Sequence, residues 1–133
     1  MTLMVQKEAA ERFFAGPGDR VYGPLAVMTQ CFYTAKTVLS VPRSSFSPAP
    51  DVDSAVVRLE RNGVQEQDPA AFLAFLKQAF SMRRKTLYNS LMRDSRLPAA
   101  LQACQIPQDA RAEALDAETL LRLYRTLQAQ EKQ

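Results

Sequence analysis

A run of three cations, Arg83-Arg84-Lys85, is the strongest candidate for chemistry in this sequence. The run lies at a junction between two predicted apolar helices, and neighbouring residues on a helix point about 100° apart, so three such side chains spread over a broad surface. No Asp or Glu occurs from Pro69 to Arg93, which leaves the cations without acidic partners at helical spacing. Unpaired guanidinium groups suit phosphate oxygens, and Tyr88 and Asn89 add a stacking ring and an amide of the kind that contacts RNA. The pattern indicates nucleic-acid binding, with a solvated basic face as the alternative.

The positive charge of the chain is local. From Lys77 to Arg96 there are six cationic residues and one acid, a charge of +5, whereas the whole chain carries +3. The remainder of the chain is therefore slightly acidic. Electrostatic attraction to a polyanion is expected from this segment and not from the molecule as a whole.

The sequence contains no self-contained catalytic constellation. It has no histidine, which removes most zinc sites and the nucleophile systems that depend on a histidine base. Asp51 and Asp53 flank one valine and could form an acid/base pair, but hydrogen bonding at a turn or strand entry is the better interpretation. Cys31 and Cys104 lie far apart without ligand spacing and are expected to be buried, reduced thiols. We expect neither a catalytic residue nor a metal site.

The elements that must position the basic run divide into two groups. The first half alternates strands and helices, and the second half contains helices alone, which predicts an α+β fold with a boundary in the polar segment before Asp68-Pro69. Gly16-Pro17-Gly18 follows a helix, so we interpret it as a turn and not as a phosphate-binding loop. The predicted strands are Thr2–Gln6, Thr34–Val41 and Ser54–Arg61. The predicted helices are Lys7–Phe14, Pro24–Phe32, one from Pro69 along the stripe Phe72 to Phe80, one through Leu87, Leu91 and Met92, one from Pro98 to Ile106, and one from Asp116 to the C-terminal region.

No apolar run approaches the roughly 20 residues of a membrane helix, and the N-terminus lacks the charged and apolar regions of a signal peptide. We therefore expect a cytoplasmic protein without membrane partners.

Four blocks of the sequence resemble the bacterial small-subunit ribosomal RNA adenine dimethyltransferases, the kasugamycin-resistance methyltransferase family. They lie in the family's order and spacing and are spread over most of the chain. The blocks are Met4–Arg12 continued by Tyr22–Val27, Val41–Val57 with its FSPAPDVDSAVV stretch, Phe80–Leu91 with FSMRRKTLYNSL, and the weaker Ala110–Glu113.

The resemblance implies a two-domain enzyme that uses S-adenosylmethionine to dimethylate two adjacent adenines of small-subunit rRNA. By this resemblance, residues 1–62 would be the C-terminal part of the methyltransferase domain and residues 68–133 a helical RNA-binding domain. Phe46 matches the aromatic residue that packs against the flipped adenine, although it could instead only fill the domain junction. Arg83, Arg84 and Lys85, with Tyr88 and Asn89, match the segment expected to contact rRNA in the immature small ribosomal subunit.

The family's glycine-rich cofactor loop, ribose-binding acid and amine-positioning motif have no match here. The resemblance therefore implies a C-terminal remnant of a Rossmann-like sheet, with about three strands and two helices, followed by a small all-α domain. Such a fragment is expected to be inactive alone and to bind no S-adenosylmethionine; the alternative is a stand-alone RNA-binding module without catalysis. The family's strand order implies a mixed three-stranded sheet with Ser54–Arg61 in the middle. The exposed edge Thr2–Gln6 could then pair in a dimer.

Overall fold

The structure is a computed structural model that describes residues 1–45, 52–66, 68–82 and 84–131, and side chains up to residue 129. Strands occur only before residue 62, and the remaining described residues form helices and turns, which confirms the α+β class. In chain order the elements are β1 (Thr2–Gln6), α1 (Lys7–Phe14), α2 (Pro24–Phe32), β2 (Tyr33–Val41), a 3₁₀ turn (Arg43–Ser45), β3 (Ser54–Arg61), α3 (Pro69–Ala79), α4 (Leu87–Ser90), α5 (Leu97–Ala103), a second 3₁₀ turn (Ala112–Ala114) and α6 (Ala117–Glu131).

The three strands form one sheet in the order β1-β3-β2. The prediction that β3 lies in the middle is confirmed, but the prediction of a mixed sheet is wrong for these strands. Both β1 and β2 run antiparallel to β3. The two outer strands share a direction, but they do not touch, because β3 runs between them in the opposite direction.

The two faces of the sheet differ in their partners. Ala55, Val57 and Leu59 of β3 are buried on one face, where they form a small core with Ala10 and Phe13 of α1. This alternation follows from the two-residue period of a strand and agrees with the sequence pattern. The opposite face, which we call the open face, carries the row Met4–Val56–Leu39 across the three strands. Met4 and Leu39 are 60% and 58% exposed there.

Caps and prolines set the helix starts as predicted. Pro24 and Pro69 occupy the first turns of α2 and α3, where a missing N–H costs nothing. Asp68 caps α3, because its Oδ1 accepts a 3.1 Å hydrogen bond from the amide of Ala71.

Two predicted helices are shorter than expected. The helix predicted through Leu91 and Met92 is a single turn, Leu87–Ser90, and the backbone of Met92 is left-handed at φ 59°. The helix predicted to reach Ile106 stops at Ala103, and Gln105 is likewise left-handed at φ 58°. The apolar spacing continues beyond both helices, because residues in the following turns also pack inward. Periodicity alone therefore overestimated their length.

The larger core lies in the helical half and includes α2. Phe72, Leu76 and Leu120 are fully buried, which confirms that the aromatic and leucine stripes form core. Val27 of α2 and the preceding Tyr22 belong to the same cluster, although both lie before the predicted boundary. The division into residues 1–62 and 68–133 stays a prediction. Among the residues that the structure describes, no helix has the length and apolar character of a membrane span.

Candidate nucleic-acid interface

Arg84 and Lys85 of the basic run lie in a turn between α3 and α4, which we call the basic turn, at the junction between two apolar helices that the sequence predicts. After α3 ends, the Ser81 hydroxyl donates to the carbonyl of Gln78 at 2.6 Å. The amide of Lys85 donates to the carbonyl of Met82 at 3.0 Å, which closes the turn. Thr86 then caps α4, since its Oγ1 accepts from the amide of Asn89 at 3.3 Å. The side chains of Arg84 and Lys85 are thus directed by turn geometry, and the expected helical spread of about 100° per residue does not apply to them.

Arg84 and Lys85 are exposed, as is Lys77 on α3. Within the described parts of the chain, none of these three cations forms an ion pair. Arg83 lies outside the described residues, so its role stays a prediction. Cations without an acidic partner keep their full charge available to an anionic ligand, which is the requirement for phosphate contact.

Arg96 differs from these cations because it is paired. Its guanidinium donates to both carboxylate oxygens of Asp94, at 3.0 and 2.7 Å. This side-chain hydrogen bond, with one from the Arg96 amide, lowers the pKa of Asp94 below its usual value. Arg96 and Asp94 therefore act as a local structural pair, and the free positive charge is concentrated nearer to the basic turn.

Tyr88 and Asn89, predicted as stacking and hydrogen-bonding residues, are both half-buried. Tyr88 packs against the helical core, so part of its ring is structural. The Oδ1 of Asn89 accepts a 3.3 Å hydrogen bond from Nε of Arg93.

Arg93 is a further candidate for RNA contact. It was included in the local charge of +5, but the sequence did not predict it as an RNA-contacting residue. It is exposed, and its backbone is left-handed at φ 54°. Its amide donates to the carbonyl of Tyr88 at 2.7 Å, which folds the chain back over α4. This reversal brings the Arg93 guanidinium beside Asn89. Asn89 belongs to α4, the helix that follows the basic turn. The absence of acids from Pro69 to Arg93 was the sequence signal for this cation, whereas no sequence signal predicted the left-handed turn.

The other predicted site residues are distributed as follows. Phe46 and Asp51 lie outside the described residues, so the target-base contact stays a prediction. Asp53 stands at the entry of β3, where its Oδ1 accepts from the amide of Arg43 at 2.9 Å and its carbonyl accepts from the amide of Lys7 at 2.9 Å. The strand-entry interpretation of Asp53 is thus supported.

The cysteines are buried and free, as expected. The Cys31 thiol donates to the carbonyl of Ala117 at 3.3 Å, and burial raises its pKa to about 12. Such a thiol is not a nucleophile at neutral pH. In the described parts of the chain no group of His, Cys, Asp or Glu side chains is arranged to hold a metal ion.

The described residues do not fit an S-adenosylmethionine site. The only glycine pair at loop spacing, Gly16 and Gly18, forms a helix-ending turn: the Gly16 amide donates to Asp19 Oδ2 at 2.7 Å, and the Gly18 amide donates to the carbonyl of Glu113 at 3.0 Å. These amides are already used within the protein. Across the described ranges no buried side-chain nitrogen or oxygen is left without a hydrogen-bond partner that a ligand could supply. We derive no step of methyl transfer from these residues.

Comparison with known sequences gives a consistent result. The family model described as ribosomal RNA adenine dimethylase matches residues 1–129. Proteins named ribosomal RNA small subunit methyltransferase A from Bacillus licheniformis and Xanthomonas euvesicatoria are 40% identical over 129 residues and 43% identical over 126 residues. The matches cover 89% and 92% of this chain but 44% and 48% of those relatives. The chain thus spans a little under half the length of the curated relatives it matches.

Solved structures share the fold. A dimethyladenosine transferase from Plasmodium falciparum matches 96% of this chain and 57% of its own, with a TM-score of 0.72 and 25% identity. The 23S rRNA methyltransferase ErmE matches 96% of this chain and 54% of its own, with a TM-score of 0.64 and 27% identity. Since the family model spans nearly the whole sequence and methyltransferase structures share its fold, the chain belongs to the ribosomal RNA adenine dimethylase family.

Proposed function

We propose that this chain is the C-terminal part of a small-subunit rRNA adenine dimethyltransferase and supplies its RNA-binding surface. The observation that carries the proposal is the basic turn, where Arg84 and Lys85 are exposed and have no ion-pair partner in the described residues. Family membership supports the RNA as ligand, because the curated relatives are named as small-subunit rRNA methyltransferases.

The basic turn is well supported by the fold around it. The Gln78 side-chain amide donates to the carbonyl of Ser90 at 2.8 Å, which ties α3 to the end of α4. Leu87 of α4 is fully buried. The turn is therefore fixed at both ends, and its cations need little reorganisation to meet a phosphate backbone.

In this proposal residues 1–62 belong to the methyltransferase domain and residues 68–133 form the RNA-binding domain. The sheet would be the C-terminal remnant of a larger Rossmann-like sheet, and Phe46 would contact the target adenine. S-adenosylmethionine would bind to the whole enzyme, outside this chain. The chain would act in the cytoplasm on the immature small ribosomal subunit, and it would not methylate RNA alone.

Salt-dependent RNA binding tests the proposal. The 3′-terminal hairpin region of small-subunit rRNA would be titrated with wild type and with the triple variant Arg83→Ala/Arg84→Ala/Lys85→Ala. Wild type should bind with affinity that falls as salt rises. The triple variant should lose about 2 to 3 units of the slope of log Kobs against log salt concentration, because each phosphate contact contributes a little under one unit.

A matched control removes the same charge elsewhere. Three exposed cations lie away from the basic turn: Lys7 and Arg12 in α1 and Lys36 in β2. Their triple alanine variant should keep a slope within about one unit of wild type, since only direct phosphate contacts contribute to counterion release. Equal losses of slope in both triple variants would show that net charge, not the basic turn, governs RNA binding. If wild type does not bind the RNA, the proposal that this chain supplies an RNA-binding surface is contradicted.

A further inference from the structure

The backbone and the side chain of Arg93 are each held by a hydrogen bond. The Arg93 amide donates to the carbonyl of Tyr88 at 2.7 Å, and its Nε donates to Oδ1 of Asn89 at 3.3 Å. The second bond orients the guanidinium and leaves the donors of both Nη groups unused. Within the described residues Arg93 forms no ion pair. Its charge and its outer donors are therefore available to an anionic ligand.

The nearest acid in the sequence, Asp94, does not neutralise Arg93. Both carboxylate oxygens of Asp94 accept hydrogen bonds from the guanidinium of Arg96, at 3.0 and 2.7 Å. Oδ1 of Asp94 also accepts from the Arg96 amide at 2.9 Å. The charge of Asp94 is thus balanced by Arg96, whereas the adjacent charge of Arg93 is not balanced.

Asn89 connects Arg93 to the basic turn. The amide of Asn89 donates to Oγ1 of Thr86 at 3.3 Å, and Thr86 directly follows Lys85. This cap holds Asn89 next to the end of the basic turn, because a capping side chain folds over the first turn of its helix. The bonds from Thr86 to Asn89 and from Asn89 to Arg93 are therefore continuous, and they join the cations on both sides into one surface.

The turn that carries Arg93 is strained and gains no packing in return. Met92 and Arg93 are left-handed at φ 59° and 54°, a conformation that is costly for residues with a Cβ. The Met92 side chain is 81% exposed, so its burial does not offset the strain. Backbone strain of this kind is concentrated at functional sites, including those that hold a ligand. The effect of the turn here is to return Arg93 to Asn89.

The partners of α4 belong to the helical half. The Gln78 side chain donates to the carbonyl of Ser90 at 2.8 Å, and the Leu87 amide donates to the carbonyl of Ala110 at 2.8 Å. None of these residues lies in the sheet, which is the part that continues into the rest of the enzyme under the proposed function. The placement of Arg93 consequently does not depend on where the sheet ends.

We propose that Arg93 is a further phosphate contact of the RNA-binding surface, and that Asn89 and the left-handed turn at Met92 position it. This assignment rests on the proposed function, because it adds a residue to the same surface. The planar guanidinium matches the geometry of phosphate oxygens. The RNA backbone is thus held at the basic turn and again at Arg93.

Salt-dependent binding of the same rRNA hairpin region tests the contact. Arg93→Ala should lower the slope of log Kobs against log salt concentration by about one unit, since each phosphate contact contributes a little under one. Arg12→Ala removes the same charge from an exposed position on α1 and should leave the slope unchanged. Equal losses in the two variants would overturn the proposal, because net charge alone would then explain both.

Two substitutions of Met92 test the positioning without changing the charge. A β-branched residue is strongly disfavoured at positive φ, so Met92→Val should move Arg93 away from Asn89 and lower the slope about as much as Arg93→Ala. Glycine adopts the left-handed conformation freely, so Met92→Gly should keep the wild-type slope. A wild-type slope for Met92→Val, or equal losses for Val and Gly, would show that the turn does not position Arg93.

The Arg93 contact and the proposed function fail in different ways. Wild type that does not bind the RNA would overturn both. Wild type that binds, with a slope that falls in the triple variant of residues 83–85 but not in Arg93→Ala, would overturn the Arg93 contact and leave the proposed function standing.

Discussion

Single carboxylates at element ends fix the local geometry of this protein. Asp116 stands before α6, and its Oδ1 accepts a 2.8 Å hydrogen bond from the amide of Thr119. A side-chain hydrogen bond with Thr119, together with this backbone one, lowers the pKa of Asp116, because the charged form accepts both better than the neutral form. Hydrogen bonds from Arg96 lower the pKa of Asp94 in the same way. Both residues therefore stabilise the fold as anions.

Replacing Asp116 with Ala should lower the free energy of unfolding at neutral pH by about 1 kcal/mol, the usual cost of losing a helix cap. Asp116→Asn should retain most of the capping, since an amide oxygen also accepts the bond. Urea unfolding at neutral pH measures both. A smaller loss for Ala than for Asn would contradict the capping role.

The stability of wild type and of Asp116→Asn should also differ in its dependence on pH. The folded pKa of Asp116 is below its unfolded value, so its contribution is present above the unfolded pKa and is lost as the pH falls through the folded one. Wild type should accordingly lose more stability than Asp116→Asn on acidification below the usual range for an aspartate. Parallel stability profiles for the two proteins would contradict the lowered pKa.

At the scale of elements, the turn after α4 decides the shape of the basic surface. Two consecutive non-glycine residues, Met92 and Arg93, have left-handed backbones. This conformation is costly for residues with a Cβ. The turn is held by the hydrogen bond from the Arg93 amide to the Tyr88 carbonyl. It returns Arg93 to Asn89, so backbone strain here accompanies the placement of a cation.

Met92→Gly should raise the free energy of unfolding by about 0.5 to 1 kcal/mol, because glycine adopts the left-handed conformation without steric cost. The methionine side chain is 81% exposed, so little packing is lost. Chemical denaturation measures the change, and Met92→Asn should shift stability in the same direction by less. Met92→Ala is the matched control: it shortens the side chain but keeps the strain, and it should not stabilise. A stabilising effect of Ala equal to that of Gly would refute the strain argument.

At the scale of the whole molecule, α2 joins the two halves. It follows α1 and precedes β2, yet it packs against α6, and its residues belong to the helical core. The Tyr22 hydroxyl donates to the carbonyl of Leu115 at 2.6 Å, and burial raises its pKa, so it remains a donor at neutral pH. The helical half is therefore completed by a segment that lies outside residues 68–133.

A chain of residues 68–133 alone should show this dependence. Without α2 the partners of Tyr22 and Val27 become exposed, so the fragment should bind a hydrophobic dye and unfold with lower cooperativity than the full chain. Circular dichroism and urea unfolding measure the difference, and a peptide of residues 19–33 should restore part of it. Cooperative unfolding of the fragment at the stability of the full chain would show that α2 is dispensable and would support a boundary at residues 62–68.

Local features of the sequence determined most of the elements and the position of the basic cluster. Alternating residues in Ser54–Arg61, the proline at position 24 and the Asp68-Pro69 cap act through neighbours a few residues away, so they can be read without a fold. The run Arg83-Arg84-Lys85, in a segment without acids from Pro69 to Arg93, likewise depends only on sequence.

The tertiary structure alone decided which partners these elements take. The antiparallel pairing of β1 and β2 with β3, the burial of α2 in the helical core and the one-turn length of α4 depend on contacts between residues far apart in the chain. Local propensity determines whether a segment forms a helix or a strand, but long-range packing sets the length and direction of that element.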